Sequence, residues 1–203
     1  MKELGKNQLG ILNLYRKNVF LKATIRELMK KLAGKSYQRV YESVMDLKEQ
    51  GILKIEKIGN SNEVRLSLGE ETVLYLSFLD EKEALLKKVA NLDKILERKE
   101  FKEDIILVAG SYAKDKETKT SDIDLVIITR ENEVEKQKLI DSITSLLKPE
   151  FHNIVFNHDD FTGMLKSKDE NFGKEIFKNR IILRNARGYY YLLKEAIDNG
   201  FRG

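Results

Sequence analysis

Along the first third of the chain, apolar residues recur at the three- and four-residue intervals of amphipathic helices. Leu9, Ile11, Leu12 and Tyr15 predict a first helix over Gln8–Tyr15. Thr24 stands three residues before Glu27, the spacing of a capping box, and Ile25, Leu28, Met29 and Leu32 follow on one face up to a predicted stop at Gly34. Ser36 is the next N-cap and opens a helix whose buried stripe is Tyr37, Val40, Val44 and Leu47, ending at Gly51. Beyond Gly51 the period shortens. Leu53, Ile55 and Ile58 predict one strand, Gly59-Asn60-Ser61-Asn62 a turn, and Val64, Leu66 and Leu68 alternate with Glu63, Arg65 and Ser67 as a second strand.

Glu70 to Arg98 reads as helix with a break near Asp80, and carries no chemical motif; its Leu-rich stripe suits a packing connector or a homodimer contact. Ile105-Ile106-Leu107-Val108-Ala109 is a continuous apolar run, as in a buried central strand. A second apolar strand follows at Leu125–Ile128, then a helix over Val134–Leu147 broken by Pro149, and a strand over Phe151–Phe156. Asp160 to Phe177 predicts two short helices, Ile181–Leu183 a strand, and Tyr189–Leu193 the opening of a last helix, its tyrosines serving as core and interface. The fold class expected is α+β, in three parts: residues 1–69, a helical connector at 70–99, and a small mixed sheet with flanking helices at 100–203.

Composition narrows the function classes. With 41% hydrophobic and 34% charged residues the chain suits a globular protein. The absence of cysteine excludes disulfides and Cys-based zinc sites, and two histidines, His152 and His158, leave little for zinc. No apolar run is long enough to span a bilayer and no signal-peptide pattern opens the chain, so no membrane partner and a cytoplasmic location are expected. Charge is uneven: residues 1–70 carry 14 Lys and Arg against 8 Asp and Glu, a net of +6, and the remainder carries a net of −2. That asymmetry fits a nucleic-acid-binding module joined to something else.

The chemistry concentrates after the first apolar strand. Gly110 allows backbone to approach a ligand closely, and the Ser111 hydroxyl with the amides of a following helix suits phosphate. Ten residues further on, Asp122 and Asp124 stand at i and i+2 where the next strand opens, so both carboxylates present on one face. Two such carboxylates are costly without a partner, and a divalent cation shared with substrate phosphates resolves the cost. Gly110-Ser111, ten intervening residues and Asp122-Ile123-Asp124 resemble the signature of the nucleotidyltransferase superfamily that includes DNA polymerase beta and the minimal nucleotidyltransferases. The resemblance runs from about Asp104 to Tyr191. It implies Gly110 and Ser111 as nucleotide-binding residues, Asp122 and Asp124 as catalytic metal ligands, Mg²⁺ or Mn²⁺ as cofactor, and a nucleoside triphosphate as substrate.

The resemblance also implies a third carboxylate on the strand after the next helix. Laid on Asn153-Ile154-Val155-Phe156, the pattern puts Asn153 at that position, where it can ligate a metal but cannot act as a base. His152 can be a base in principle, yet as a strand neighbour of Asn153 it faces the other way.

Residues 5–69, three helices and a hairpin, resemble the winged helix-turn-helix domains of transcriptional regulators. The resemblance implies duplex DNA as partner, with Ser36, Gln38 and Arg39 reading base edges and Lys35, Lys57 and Arg65 near phosphates. Two readings stay open. One is an active Mg²⁺-dependent nucleotidyltransferase acting on a protein, small-molecule or nucleic-acid hydroxyl. The other is a transcriptional regulator or antitoxin, with a toxin partner, whose nucleotidyltransferase domain is a degenerate nucleotide sensor.

Overall fold

A computed structural model describes residues 3–33, 35–59, 61–87, 89–118 and 120–203. The helix stop expected at Gly34 and the turn position Asn60 lie outside the described residues. The chain divides into two compact units, Met1–Leu79 and Asp80–Gly203, and the division falls inside the span expected to be a connector.

The first unit opens with α1 (Lys6–Lys17), α2 (Ile25–Lys31) and α3 (Tyr37–Glu49). The capping box forms: Glu27 N donates to Thr24 Oγ1 at 3.3 Å and Thr24 N donates to Glu27 Oε2 at 2.7 Å. Ser36 caps α3 by accepting from Arg39 N at 3.4 Å. At the other end of α3, Gly51 takes φ +71°, and Gly51 N and Ile52 N donate to Lys48 O and Leu47 O at 2.9 and 3.0 Å. This Schellman closure turns the chain directly into β1 (Leu53–Ile58), which pairs antiparallel with β2 (Ser61–Leu66), Leu53 opposite Leu66.

Ile11, Leu12, Tyr15, Leu28, Val40, Val44, Leu47 and Val64 are fully buried and form this unit's core. The Tyr15 hydroxyl donates to Val64 O at 3.0 Å, linking α1 to the hairpin. Burial, then the neighbouring Glu63 charge, holds the pKa of Tyr15 well above its ordinary value, so the phenol remains a donor. Tyr37 departs from expectation: it is 45% exposed. Val40, Val44 and Leu47 complete the buried stripe, and the Tyr37 ring stacks instead on Tyr41, centroids 6.2 Å apart.

α4 (Glu70–Leu86) runs unbroken through Asp80, where a break was expected. The second unit continues through α5 (Asp93–Leu96), β3 (Ile105–Val108), α6 (Gly110–Ala113), β4 (Ile123–Thr129), α7 (Glu133–Thr144) and β5 (Phe151–Asn157). It ends with α8 (His158–Lys166), α9 (Phe172–Lys178), β6 (Ile181–Arg184) and α10 (Ala186–Asp198). The sheet order is β5-β4-β3-β6; β4 and β5 are parallel and the other neighbours antiparallel, so the sheet is mixed and the fold α+β. The parallel pair requires a crossover, which α7 supplies.

Strand alternation sorts the apolar side chains onto two faces. Ile106, Val108, Ile123, Leu125 and Ile127 form one core with Ile95, Phe101 and Ile140 of α7. The opposite face is covered by α8 and α10, with Phe161, Leu165, Tyr189 and Tyr190 buried. Burial pushes the Tyr189 phenol up to about 12, and Tyr190 donates its hydroxyl to Asp80 Oδ2 at 2.6 Å. A buried ion pair pins α7: Lys136 Nζ lies 2.8 Å from Asp104 Oδ2, with side chains only 6% and 3% exposed. On β5 the α7 side chain of Gln137 donates from Nε2 to Asn153 O at 3.1 Å and accepts at Oε1 from Val155 N at 3.0 Å. Among the described residues no helix is long and apolar enough to cross a membrane.

Candidate functional site

The β3/β4 register builds the site. Val108 lies opposite Leu125, and the ladder extends one step further, Ala109 N donating to Asp124 O at 2.9 Å. The turn leaving β3 is thereby laid onto the start of β4. Gly110 adopts φ +63°, and a Cβ there would overlap Asp124 Oδ2 and lie 2.8 Å from its Cγ. Glycine is required twice over: for the left-handed backbone and for the space that the Asp124 carboxylate occupies.

Ser111, half-buried, follows in α6, a single four-residue turn. Lys114 N and Lys116 N donate to Ser111 O at 3.2 and 3.0 Å, which curls the chain back. Thr118 N then donates to Ser121 Oγ at 2.9 Å, ordering the approach to β4. Asp122 emerges exposed immediately before β4, and Asp124 is its second residue, with its side chain 31% exposed. Only Asp124 lies within the strand, so alternation places its side chain, while Asp122 belongs to the approach. Tyr112 packs against the apolar core beside them, and burial, then the Glu117 and Asp122 charges, raise its pKa. The structure sets Gly110 against Asp124, with Ser111 in the turn that follows Gly110 and Asp122 two residues before Asp124.

Asn153 is not brought there, and its expected place as the third acid is corrected by the β4/β5 register. Parallel pairing sets Asp124 beside His152 and Leu125 beside Asn153. Asn153 therefore shares the Leu125 face, where its Nδ2 donates to Asp141 Oδ1 at 2.9 Å and Thr144 Oγ1 at 2.7 Å, both on α7. His152 takes the face of Asp124, its Nδ1 3.7 Å from Asp124 Oδ1. Ile154 and Phe156 continue that face, so between Phe151 and Asn157 it carries no carboxylate. Alternation along β5 was visible in the sequence; which half faces Asp124 was not, because parallel register is set by tertiary packing.

In the first unit, Lys35, Ser36, Gln38, Arg39 and Lys57 are all exposed. Gln38 Nε2 donates to Glu42 Oε1 at 2.8 Å, which fixes its amide one turn along α3. Arg65 is held between Glu56 and Glu63, each at 2.8 Å, so its charge is matched locally.

A family model described as a nucleotidyltransferase domain matches residues 77–183, more than half of the chain. The matched span begins within α4 and ends in β6, enclosing the Gly110–Ser111 turn, the Asp122–Asp124 pair and His152. No curated protein and no solved structure matched the chain. A glycine turn seated on one of two carboxylates at the mouth of a buried strand lies at the centre of that span, and the chain belongs to the nucleotidyltransferase domain family.

Proposed function

We propose that the second unit transfers a nucleoside monophosphate from a nucleoside triphosphate to a hydroxyl acceptor, using Mg²⁺ or Mn²⁺, and that the first unit is a winged helix that binds duplex DNA. The observation that carries the transferase reading is the fit of the Asp124 carboxylate into the space left by Gly110. It fixes one acid against the turn that would meet the triphosphate.

Asp122 and Asp124 offer hard oxygen donors, the chemistry that suits Mg²⁺. Among the described residues no group of three or more His, Cys, Asp or Glu side chains is gathered for a metal ion, so phosphate oxygens and water would complete the shell. When bound, the ion supplies orientation of the triphosphate and offsets charge on the departing pyrophosphate. Ser111 would donate its hydroxyl to a phosphate oxygen, and Asp124, braced by Gly110, would hold its orientation without reorganisation. The acceptor oxygen bonds to the α-phosphorus, the bond to the β-phosphate oxygen breaks, and the acceptor proton leaves to solvent or a base.

One observation favours a second reading. The face of β5 beside Asp124 carries His152, Ile154 and Phe156 in place of a carboxylate, which fits a nucleotide sensor within a transcriptional regulator or antitoxin. Calorimetry with Mg²⁺ and a triphosphate tests the shared part: Asp122→Asn with Asp124→Asn should remove binding, and unchanged binding would refute the site. Incubating the protein with labelled triphosphates in its own cell lysate separates the two readings, since a sensor binds without transferring label.

A further inference from the structure

Tyr37 and Tyr41 lie one turn apart on α3, 45% and 40% exposed, with rings 6.2 Å apart and inclined by 27°. Val40, Val44 and Leu47 already fill the buried stripe of the helix, so the two rings are surplus to the core. Their stacking fixes each ring against the other, and a rigid aromatic surface in water is suited to contact with a partner at low entropic cost. The partner's charge is indicated by what surrounds them. Lys35 is exposed just before the helix, the first turn of α3 has no acidic residue, the nearby Glu42 carboxylate is engaged by Gln38, and the first 70 residues carry a net charge of +6. A polyanion with an apolar feature in reach of a helix fits that combination, and the thymine C5-methyl is the apolar group that the major groove displays.

We propose that Tyr37 and Tyr41 form an apolar shelf that contacts thymine methyl groups, so that the duplexes bound carry A·T pairs beneath the first two turns of α3. The proposal rests on the DNA-binding reading of the first unit. The ring faces, not the hydroxyls, make the contact, so phenylalanine would serve as well as tyrosine. Gln38 next to the rings and Arg39 further round the helix would read base edges by hydrogen bonding, a separate contribution.

The experiment uses the full chain. Bound sites are recovered by selection from random duplexes, and fluorescence anisotropy then measures affinity for the best duplex and for copies in which single thymines are replaced by deoxyuridine, which removes only the methyl. Wild-type binding should weaken about fourfold for each methyl contacted, the worth of one buried methylene-sized group. Tyr37→Phe and Tyr41→Phe should keep that penalty, and the double variant Tyr37→Ala with Tyr41→Ala should lose it while retaining salt-dependent binding. A penalty of equal size in wild type and the alanine variant, or none at any thymine, overturns the shelf but leaves DNA binding standing. Absence of salt-dependent binding to any duplex overturns both. Conversion of a dimer to a monomer by the alanine variant, with no deoxyuridine penalty in wild type, assigns the rings to a second copy of the chain and also overturns the proposal.

Discussion

The Asp124 carboxylate occupies the space that a side chain at Gly110 would fill, 2.8 Å separating Asp124 Cγ from an ideal Cβ there. Gly110→Ala must therefore move either the acid or the turn, and must also hold alanine at φ +63°. Triphosphate affinity in Mg²⁺ should fall by about 10-fold or more, the usual scale for disturbing the support of a metal ligand. The left-handed backbone alone should lower stability by roughly 1–2 kcal/mol. Calorimetry and thermal unfolding measure the two effects, and intact triphosphate affinity would detach the turn from binding.

The two neighbours on β5 predict opposite outcomes for the same new residue. Asn153→Asp places a carboxylate where Asn153 Nδ2 now donates to Asp141 at 2.9 Å, so it should destabilise the α7 packing and leave transfer unchanged. His152→Asp places the carboxylate beside Asp124 and should raise a slow transfer rate by about 10²-fold if a base is the missing element. Single-turnover rates for the two variants decide the matter. A gain from Asn153→Asp alone would mean that β5 pairs in a different register.

Lys136 and Asp104 are both buried, and Asp104 and Glu131 outweigh the effect of burial to hold the Lys136 pKa above its ordinary value. Asp104→Ala leaves the ammonium without its buried partner and should cost about 3–5 kcal/mol in urea unfolding. Replacing both residues by apolar ones of similar volume should recover much of the loss. A negligible effect of Asp104→Ala would show that Glu131 alone suffices.

His158, first residue of α8, has its pKa held below 6.5 by burial and then by Arg130, whose Nε donates to His158 Nδ1 at 3.3 Å. Well above pH 6.5 the imidazole is neutral in both states and this contribution to stability is intact. As pH falls below that value the unfolded chain takes up a proton that the folded chain resists, so stability declines until the folded pKa is passed. Melting temperatures measured from about pH 7.5 to about pH 5 should fall less steeply for His158→Gln than for wild type. Parallel curves would remove His158 from the pH response.

On the first unit, Arg39→Ala should relax sequence preference at one or two base pairs, worth roughly 1–3 kcal/mol of discrimination each. Lys57→Ala should weaken all duplexes alike and reduce the salt slope. Selection and salt titration distinguish them; identical behaviour of the two variants would mean that Arg39 touches only phosphate.

Local signals in the sequence were legible because local chemistry produces them. The Thr24–Glu27 cap, the Ser36 cap and the Gly51 closure each depend on residues within six positions of one another, and the hairpin joins two strands adjacent in the chain. Gly110, Ser111, Asp122 and Asp124 were grouped by one turn and one strand start. What could not be read depended on distant packing. Tyr37 falls at a helical interval that suits burial, yet the core was already filled. The choice between His152 and Asn153 required the parallel register of β5 against β4, to which the 20 or so intervening residues give no direct clue. Asp80 sits within an unbroken α4, its carboxylate accepting from the Tyr190 hydroxyl 110 residues away, a contact that the local sequence does not show.

The amide of Gln137 meets β5 as a neighbouring strand would, one donor to Asn153 O and one acceptor to Val155 N. Glu133 repeats the act a turn earlier in α7, accepting from Asn157 N at 3.2 Å. A helix thus stands in for a fifth strand along the outer margin of the sheet, and backbone that would otherwise template another chain is already engaged. The crossover that makes β4 and β5 parallel therefore also covers the β5 edge of the sheet, so the engagement of that edge and the placement of His152 beside Asp124 are inherited from the same helix.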